Sequence, residues 1–115
     1  GPYFRAVIDS LDFFMQREDQ SRVVAMLRMM QAHTQIHRGI LFVTVSKDTI
    51  TPAIKQEMAA IADMVCDFKV RTIGSDFETS MTVSKFRNAP ENLSIMVFRV
   101  TPEEGITPET VERIA

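Results

Sequence analysis

Residues 3–11 read Tyr-Phe-Arg-Ala-Val-Ile-Asp-Ser-Leu. Phe4 to Ile8 is a short, mostly apolar run that stops at the polar pair Asp9-Ser10. A run this short, closed by turn-favouring residues, predicts a buried strand. An Asp at the C-terminal end of a buried parallel strand stands where open α/β sheets place their ligands. Taken alone, the pattern is more often an ordinary strand end, because Asp favours turns.

The residues downstream set the context. Leu11 to Gln16 is a broken segment that predicts a short helical turn. Asp19 or Gln20 then opens a long helix through about His37, with apolar positions at Val23, Val24, Met26, Leu27, Met29, Met30 and Ile36. These cover more than one stripe, which predicts a helix wedged between layers. Gly39 is expected to terminate it, with His37 and Arg38 in the last turn, where positive charge is favourable. Ile40 to Val45 is the next strand, and its nearly continuous apolar run predicts cover on both faces of a parallel sheet. Thr51 as N-cap and Pro52 at the first helical position start a further helix that ends near Asp63.

The texture then changes. Met64–Ile73 and Phe77–Phe86 read as strands around Gly74-Ser75-Asp76, a hairpin signal. A turn around Pro90 within residues 88–92 leads to a strand over Leu93–Val100. Gly105-Ile106-Thr107 predicts a short edge strand, and Thr107-Pro108-Glu109 a last helical turn. Strand, helix, strand, helix, then antiparallel strands is an α/β order whose first part requires a crossover and a parallel sheet. No repeat or linker interrupts it, so residues 1–115 read as a single domain, with Gly1-Pro2 matching a tag remnant.

Composition narrows the class. The chain has 115 residues, 45% hydrophobic and 24% charged, with net charge -2 and pI near 5.7. That balance suits a globular domain and argues against broad nucleic-acid binding, which relies on clustered Lys and Arg. No apolar run approaches the roughly 18 residues that span a bilayer, and no signal peptide is visible. The single Cys66, among Met64 and Val65, excludes an internal disulfide and reads as a buried, inert thiol. A cytoplasmic location is the matching expectation. The eight methionines read as fillers of an irregular core.

Other constellations are weaker. His33 and His37, spaced i, i+4, can present two metal ligands on one helix face, but no third ligand is evident. Asp9 and Asp12 form a pair of carboxylates with no sign of acid/base work. Ser10 lacks a His partner and elbow glycines. Glu103, Glu104, Glu109 and Glu112 read as a solvated acidic tail.

Taken in order, the segments resemble one family. Tyr3–Leu11 resembles the Walker B "VIDSL" segment of RecA/KaiC-like P-loop ATPases. Ser21–Gly39 resembles the helix that follows, and Ile40–Ser46 the next core strand, whose polar end senses the γ-phosphate. Ala62-Asp63-Met64-Val65, Val83-Ser84-Lys85-Phe86-Arg87 and Phe98–Ile106 resemble the family's "aDxv", "vxKxR" and closing "fxIxxxGi" segments.

The resemblance implies a three-layer RecA-like core fragment, from Walker B onward. It implies Asp9, Ser10 and Ser46 near the nucleotide, with Asp9 holding Mg²⁺ through water. It implies that Lys85 and Arg87, on one face of a strand, reach a neighbouring subunit's γ-phosphate. No G-x-x-x-x-G-K-[ST] occurs, because Gly1, Gly39, Gly74 and Gly105 lie in no such pattern. The implied cofactors are therefore ATP and Mg²⁺ in the full-length family context, with neither bound tightly by this chain alone.

The expected function is part of an oligomeric ATP-binding, ATP-hydrolysing regulatory or signal-transduction protein of archaeal type, this chain alone being inactive. The alternative is a non-catalytic scaffold or protein-interaction module. Self-association through an exposed sheet edge is expected, and nucleic acid and membrane are disfavoured as partners.

Overall fold

Phe4 to Ile8 does extend, and Arg5–Ile8 forms strand β1. The computed structural model describes residues 3–89 and 94–113. The expectations for Gly1-Pro2, for Pro90 to Asn92 and for Leu93 fall outside those residues. The chain divides into two compact units, one ending at Ala62 and one beginning at Asp63.

In the first unit, β1 is followed by helix α1 (Asp12–Arg17), helix α2 (Gln20–Ile36) and strand β2 (Ile40–Val43). A single 3₁₀ turn at Lys47–Thr49 and helix α3 (Pro52–Ile61) complete it. β1 and β2 pair in parallel, Arg5 opposite Ile40 through Ile8 opposite Val43, as the crossover through α2 requires. Capping follows the sequence: the Asp19 side chain accepts from Ser21 N–H at 2.9 Å, and Thr51 Oγ1 accepts from Ile54 N–H at 3.2 Å. The core is Leu11, Met15, Val23 and Leu27, with Ile8, Val43, Val45, Ile54, Met58 and Ile61 packed against it.

Cover on both sheet faces is not observed. Side chains alternate along the pair, and Ile8, Val43 and Val45 turn inward to the helices. Val7 and Phe42 turn outward and remain 67% and 56% exposed. No element of the first unit supplies a second layer over them. Nor is α2 wedged between layers: Val23, Val24 and Leu27 are buried, while Met29 and Ile36 stay exposed. The methionines are likewise divided, Met15 in the core and Met29 on the surface.

The end of α2 departs from expectation in an instructive way. Arg38, not Gly39, takes the left-handed conformation, with φ +54°. Gly39 is needed for space: a Cβ there would fall 2.7 Å from Phe4 Cδ1 and nearer still to Cε1 and Cζ. The glycine therefore lets the Phe4 ring lie against the backbone as β2 begins.

The second unit is a four-stranded antiparallel sheet in sequential order: β3 (Met64–Ile73), β4 (Asp76–Phe86), β5 (Ser94–Thr101) and β6 (Gly105–Arg113). Gly74 at φ +60° opens the two-residue β3–β4 turn, and Ser75 has no positive φ, the pattern of a type II′ hairpin. The helical turn expected at Thr107-Pro108-Glu109 is a strand instead. Gly105 at φ +70° reverses the chain, and the backbone then pairs with β5 rather than with itself. Pro108 is tolerated because β6 is an edge strand with a register shift beside it.

One sheet face carries charges across all four strands. Arg71 Nη2 pairs with Glu78 Oε1 at 2.7 Å, and Glu78 is buried. Glu78 lies opposite Arg99, whose Nε meets Glu109 Oε1 at 2.5 Å as an ion pair rather than an aligned hydrogen bond.

Candidate functional site

The polar ends of β1 and β2 converge. Because the strands are parallel and in register, Asp9 and Thr44 leave the sheet side by side. Thr44 N–H donates to Ile8 O at 3.0 Å, and Leu11 N–H returns to Thr44 O at 2.9 Å. Thr44 Oγ1 donates to Asp9 Oδ1 at 2.8 Å. Both side chains continue the outward-facing rows of their strands, and both are exposed. Among the described residues, Asp9 Oδ2 has no hydrogen-bond partner. The Asp9–Ser10 peptide bond is cis.

One step further along, Asp12 organises the loop. Ser46 N–H donates to Asp12 Oδ1 at 2.8 Å, and Ser46 Oγ donates to Oδ2 at 2.6 Å. Thr49 Oγ1 approaches Oδ1 at 3.4 Å, and Asp12 N–H donates to Ser10 Oγ at 3.3 Å. The Ser46 hydroxyl, then its N–H, hold the Asp12 carboxyl below its ordinary value by favouring the charged form. Gln20 Nε2 adds a bond to Thr49 O at 2.8 Å.

The predicted residues of the first unit are thus gathered at one place: Asp9 with Thr44, and Ser10 and Ser46 on Asp12. Sequence reasoning noted Asp12 only as half of a carboxylate pair and missed Thr44. No local signal marked Asp12, because its donors come from Ser46 in the loop after β2.

Lys85 and Arg87 lie at the end of β4 in the second unit. Lys85 is opposite Val65. Arg87 falls just past the strand, yet its N–H donates to Asp63 O at 2.8 Å and its Nη1 meets Asp63 Oδ1 at 2.6 Å. Both are exposed enough for this to be a surface ion pair.

The His33 and His37 rings lie tilted at 46° with centroids 4.2 Å apart, and His33 also meets the Phe4 ring. Among the described residues, no group of three or more His, Cys, Asp or Glu is placed to hold a metal ion. Cys66 is half-buried rather than buried, and burial and then the charge of Asp67 push its thiol upward, which favours the protonated form. Among the described residues, no helix is long and apolar enough to cross a membrane.

A family model described as a family of unknown function (DUF7125) matches residues 4–104. The chain belongs to the DUF7125 family. No curated protein matches it. Two solved structures resemble the DUF7125 chain in fold. The flagellar accessory protein FlaH from Methanocaldococcus jannaschii is 19% identical with TM-score 0.64, over 92% of this chain and 47% of that one. A KaiC-like protein, PH0186 from Pyrococcus horikoshii OT3, is 17% identical with TM-score 0.63, over 92% of this chain and 46% of that one. The DUF7125 chain therefore spans about half the length of these structures and has a RecA/KaiC-like α/β fold.

Proposed function

We propose that this DUF7125 chain supplies the metal-holding half of an ATP-binding core of RecA/KaiC type, with Asp9 at the Walker B position. The observation that carries this reading is the Asp9 carboxylate at the C-terminal end of β1. One oxygen is oriented by Thr44, and the other has no hydrogen-bond partner among the described residues. An exposed, singly tethered carboxylate fits a hard cation that keeps most of its own water. Asp9 would hold Mg²⁺ through water, and the ion would supply charge neutralisation for phosphate there. Thr44 Oγ1 donates to Asp9 Oδ1 and so orients the carboxylate. Residues 1–115 contain no glycine-rich loop to cradle phosphates, so this reading requires another segment to supply the cradle.

In this reading Lys85 and Arg87 serve a neighbouring copy's phosphate. The Arg87–Asp63 pair is no obstacle, because an exposed ion pair contributes only about 0–1 kcal/mol.

The scaffold reading also has an observation in its favour. Ser46, the residue expected to sense phosphate, already donates its N–H and its hydroxyl to Asp12. A loop closed on itself in this way needs no nucleotide to be ordered.

Mg²⁺-dependent ATP binding and hydrolysis by the full-length protein decides between them. The nucleotide reading expects hydrolysis that falls by about 100-fold in Asp9→Asn, the scale of losing one positioned electrostatic group. A full-length protein that binds no ATP, or an Asp9→Asn variant with unchanged turnover, overturns it in favour of the scaffold.

A further inference from the structure

The contact between Asp12 and Ser46 occupies the two groups that a phosphate at Ser46 would need. Asp12 accepts the Ser46 N–H at 2.8 Å and the Ser46 hydroxyl at 2.6 Å, one on each carboxylate oxygen. An amide and a hydroxyl each have a single proton to donate, and here both go to the carboxylate. Thr49 adds no spare proton. Its hydroxyl lies 2.8 Å from Ser46 O and 3.4 Å from Asp12 Oδ1, so the nearer carbonyl takes it. Ser46 stands in the loop that leaves the C-terminal end of β2, two residues beyond the Thr44 that orients Asp9. In open α/β sheets that end faces the ligand. The Ser46 hydroxyl and N–H favour the ionised form of Asp12, so at neutral pH they meet a negative charge.

We infer that Asp12 is a built-in competitor for the terminal phosphate of the nucleotide, an autoinhibitory contact that phosphate must displace before Ser46 can hold it. The inference rests on the nucleotide reading above and adds its regulation. Carboxylate and phosphate oxygens attract the same donors through the same charge-assisted bonds, so one anion excludes the other from Ser46. Their like charges also repel, so an arriving phosphate has both to replace Asp12 and to approach its charge. Asp12 therefore weakens the binding of a nucleotide whose last phosphate reaches Ser46. It leaves a shorter nucleotide, whose phosphates stop before Ser46, nearly unaffected. The clasp that orders the loop is in this way also a threshold, which only a well-placed phosphate crosses.

Calorimetric titration of the full-length protein with Mg²⁺-ATP and with Mg²⁺-ADP tests it. Asp12→Asn keeps an oxygen that accepts from Ser46 and removes the charge. It is expected to tighten ATP binding about three- to tenfold, the scale of removing one like charge a few ångströms away near a surface. ADP affinity should change by less than about twofold, because its charge ends farther from residue 12. Adding Ser46→Ala to Asp12→Asn removes the hydroxyl donor and should cancel most of the gain. Asp48→Asn, in the same 3₁₀ turn, is the control for a general charge effect and should change ATP affinity less than Asp12→Asn does. Circular dichroism confirms that each variant folds. A second measurement needs no variant: in the parent protein, Mg²⁺-ATP should shift the Ser46 amide and the Asp12 carboxyl-carbon resonances together. A parent that binds ATP, with Asp12→Asn no tighter or equally tighter for ADP, overturns the inference and leaves the nucleotide reading standing. ATP binding that moves neither resonance does the same. A parent that binds no ATP overturns both.

Discussion

Asp12 accepts both the N–H and the hydroxyl of Ser46, at 2.8 and 2.6 Å, and so ties the start of α1 to the loop after β2. Two donors on one carboxylate hold the loop by charge-assisted bonds, which are stronger than neutral ones. This clasp, more than Asp9, fixes the shape of the sheet's polar end.

The clasp makes stability depend on acid. The Asp12 pKa is lowered from 3.8 in the folded chain. A depressed folded value means that the contribution is complete above the unfolded value and is lost as pH falls through the folded one. Thermal unfolding from pH 7 to pH 2.5 should show Tm falling below about pH 4. In Asp12→Ala, Tm should be lower at pH 7 and this part of the acid dependence should be missing. An unchanged acid slope would remove Asp12 from the account.

Gly39→Ala should destabilise the first unit by about 1–3 kcal/mol, the usual cost of forcing an atom into filled space. The Cβ would meet the Phe4 ring. In urea unfolding, Phe4→Ala should absorb most of that loss, making the pair strongly non-additive.

Arg38→Gly should act in the opposite direction. Arg38 holds φ +54°, where glycine is least strained, and its Nη1 donates to Tyr3 Oη at 3.4 Å. A gain of roughly 0.5–1 kcal/mol is expected in the same urea measurement. A loss would mean that the Tyr3 contact outweighs the backbone strain.

Leu11→Ala should be among the most damaging single changes, at about 2–5 kcal/mol. Leu11 is 0% exposed, and its N–H also donates to Thr44 O. Amide exchange should report the loss in β1, α1 and α2.

The order of elements was legible because each had a local cause. Thr51-Pro52 marks a helix start, Gly74 a hairpin, and the apolar run before Asp9 a strand. Non-local facts were hidden. Nothing near residue 38 announces that Phe4 will lie against Gly39 and leave the left-handed turn to Arg38. Asp12 looked unremarkable because its partners are 34 residues away, at Ser46. Thr107-Pro108-Glu109 misled because a helix-start signal and an edge strand with Pro share the same residues. Pairing with β5 decided between them. Arg87 was expected on one strand face with Lys85, but the strand ends at Phe86, and Arg87 pairs with Asp63.

The charged row Arg71–Glu78–Arg99 on the second unit's sheet has one more consequence. Antiparallel strands can slide by two residues and keep their faces, so apolar pattern alone does not forbid a misaligned sheet. Glu78 is buried and flanked in register by an arginine on each neighbouring strand. A two-residue slip of β5 replaces Arg99 with Val97 or Thr101, and a slip of β3 replaces Arg71 with Lys69 or Ile73, so the buried carboxylate loses an arginine neighbour. The row therefore works as a proofreading key for strand alignment: the native register sets an arginine on both sides of Glu78, and a two-residue slip does not.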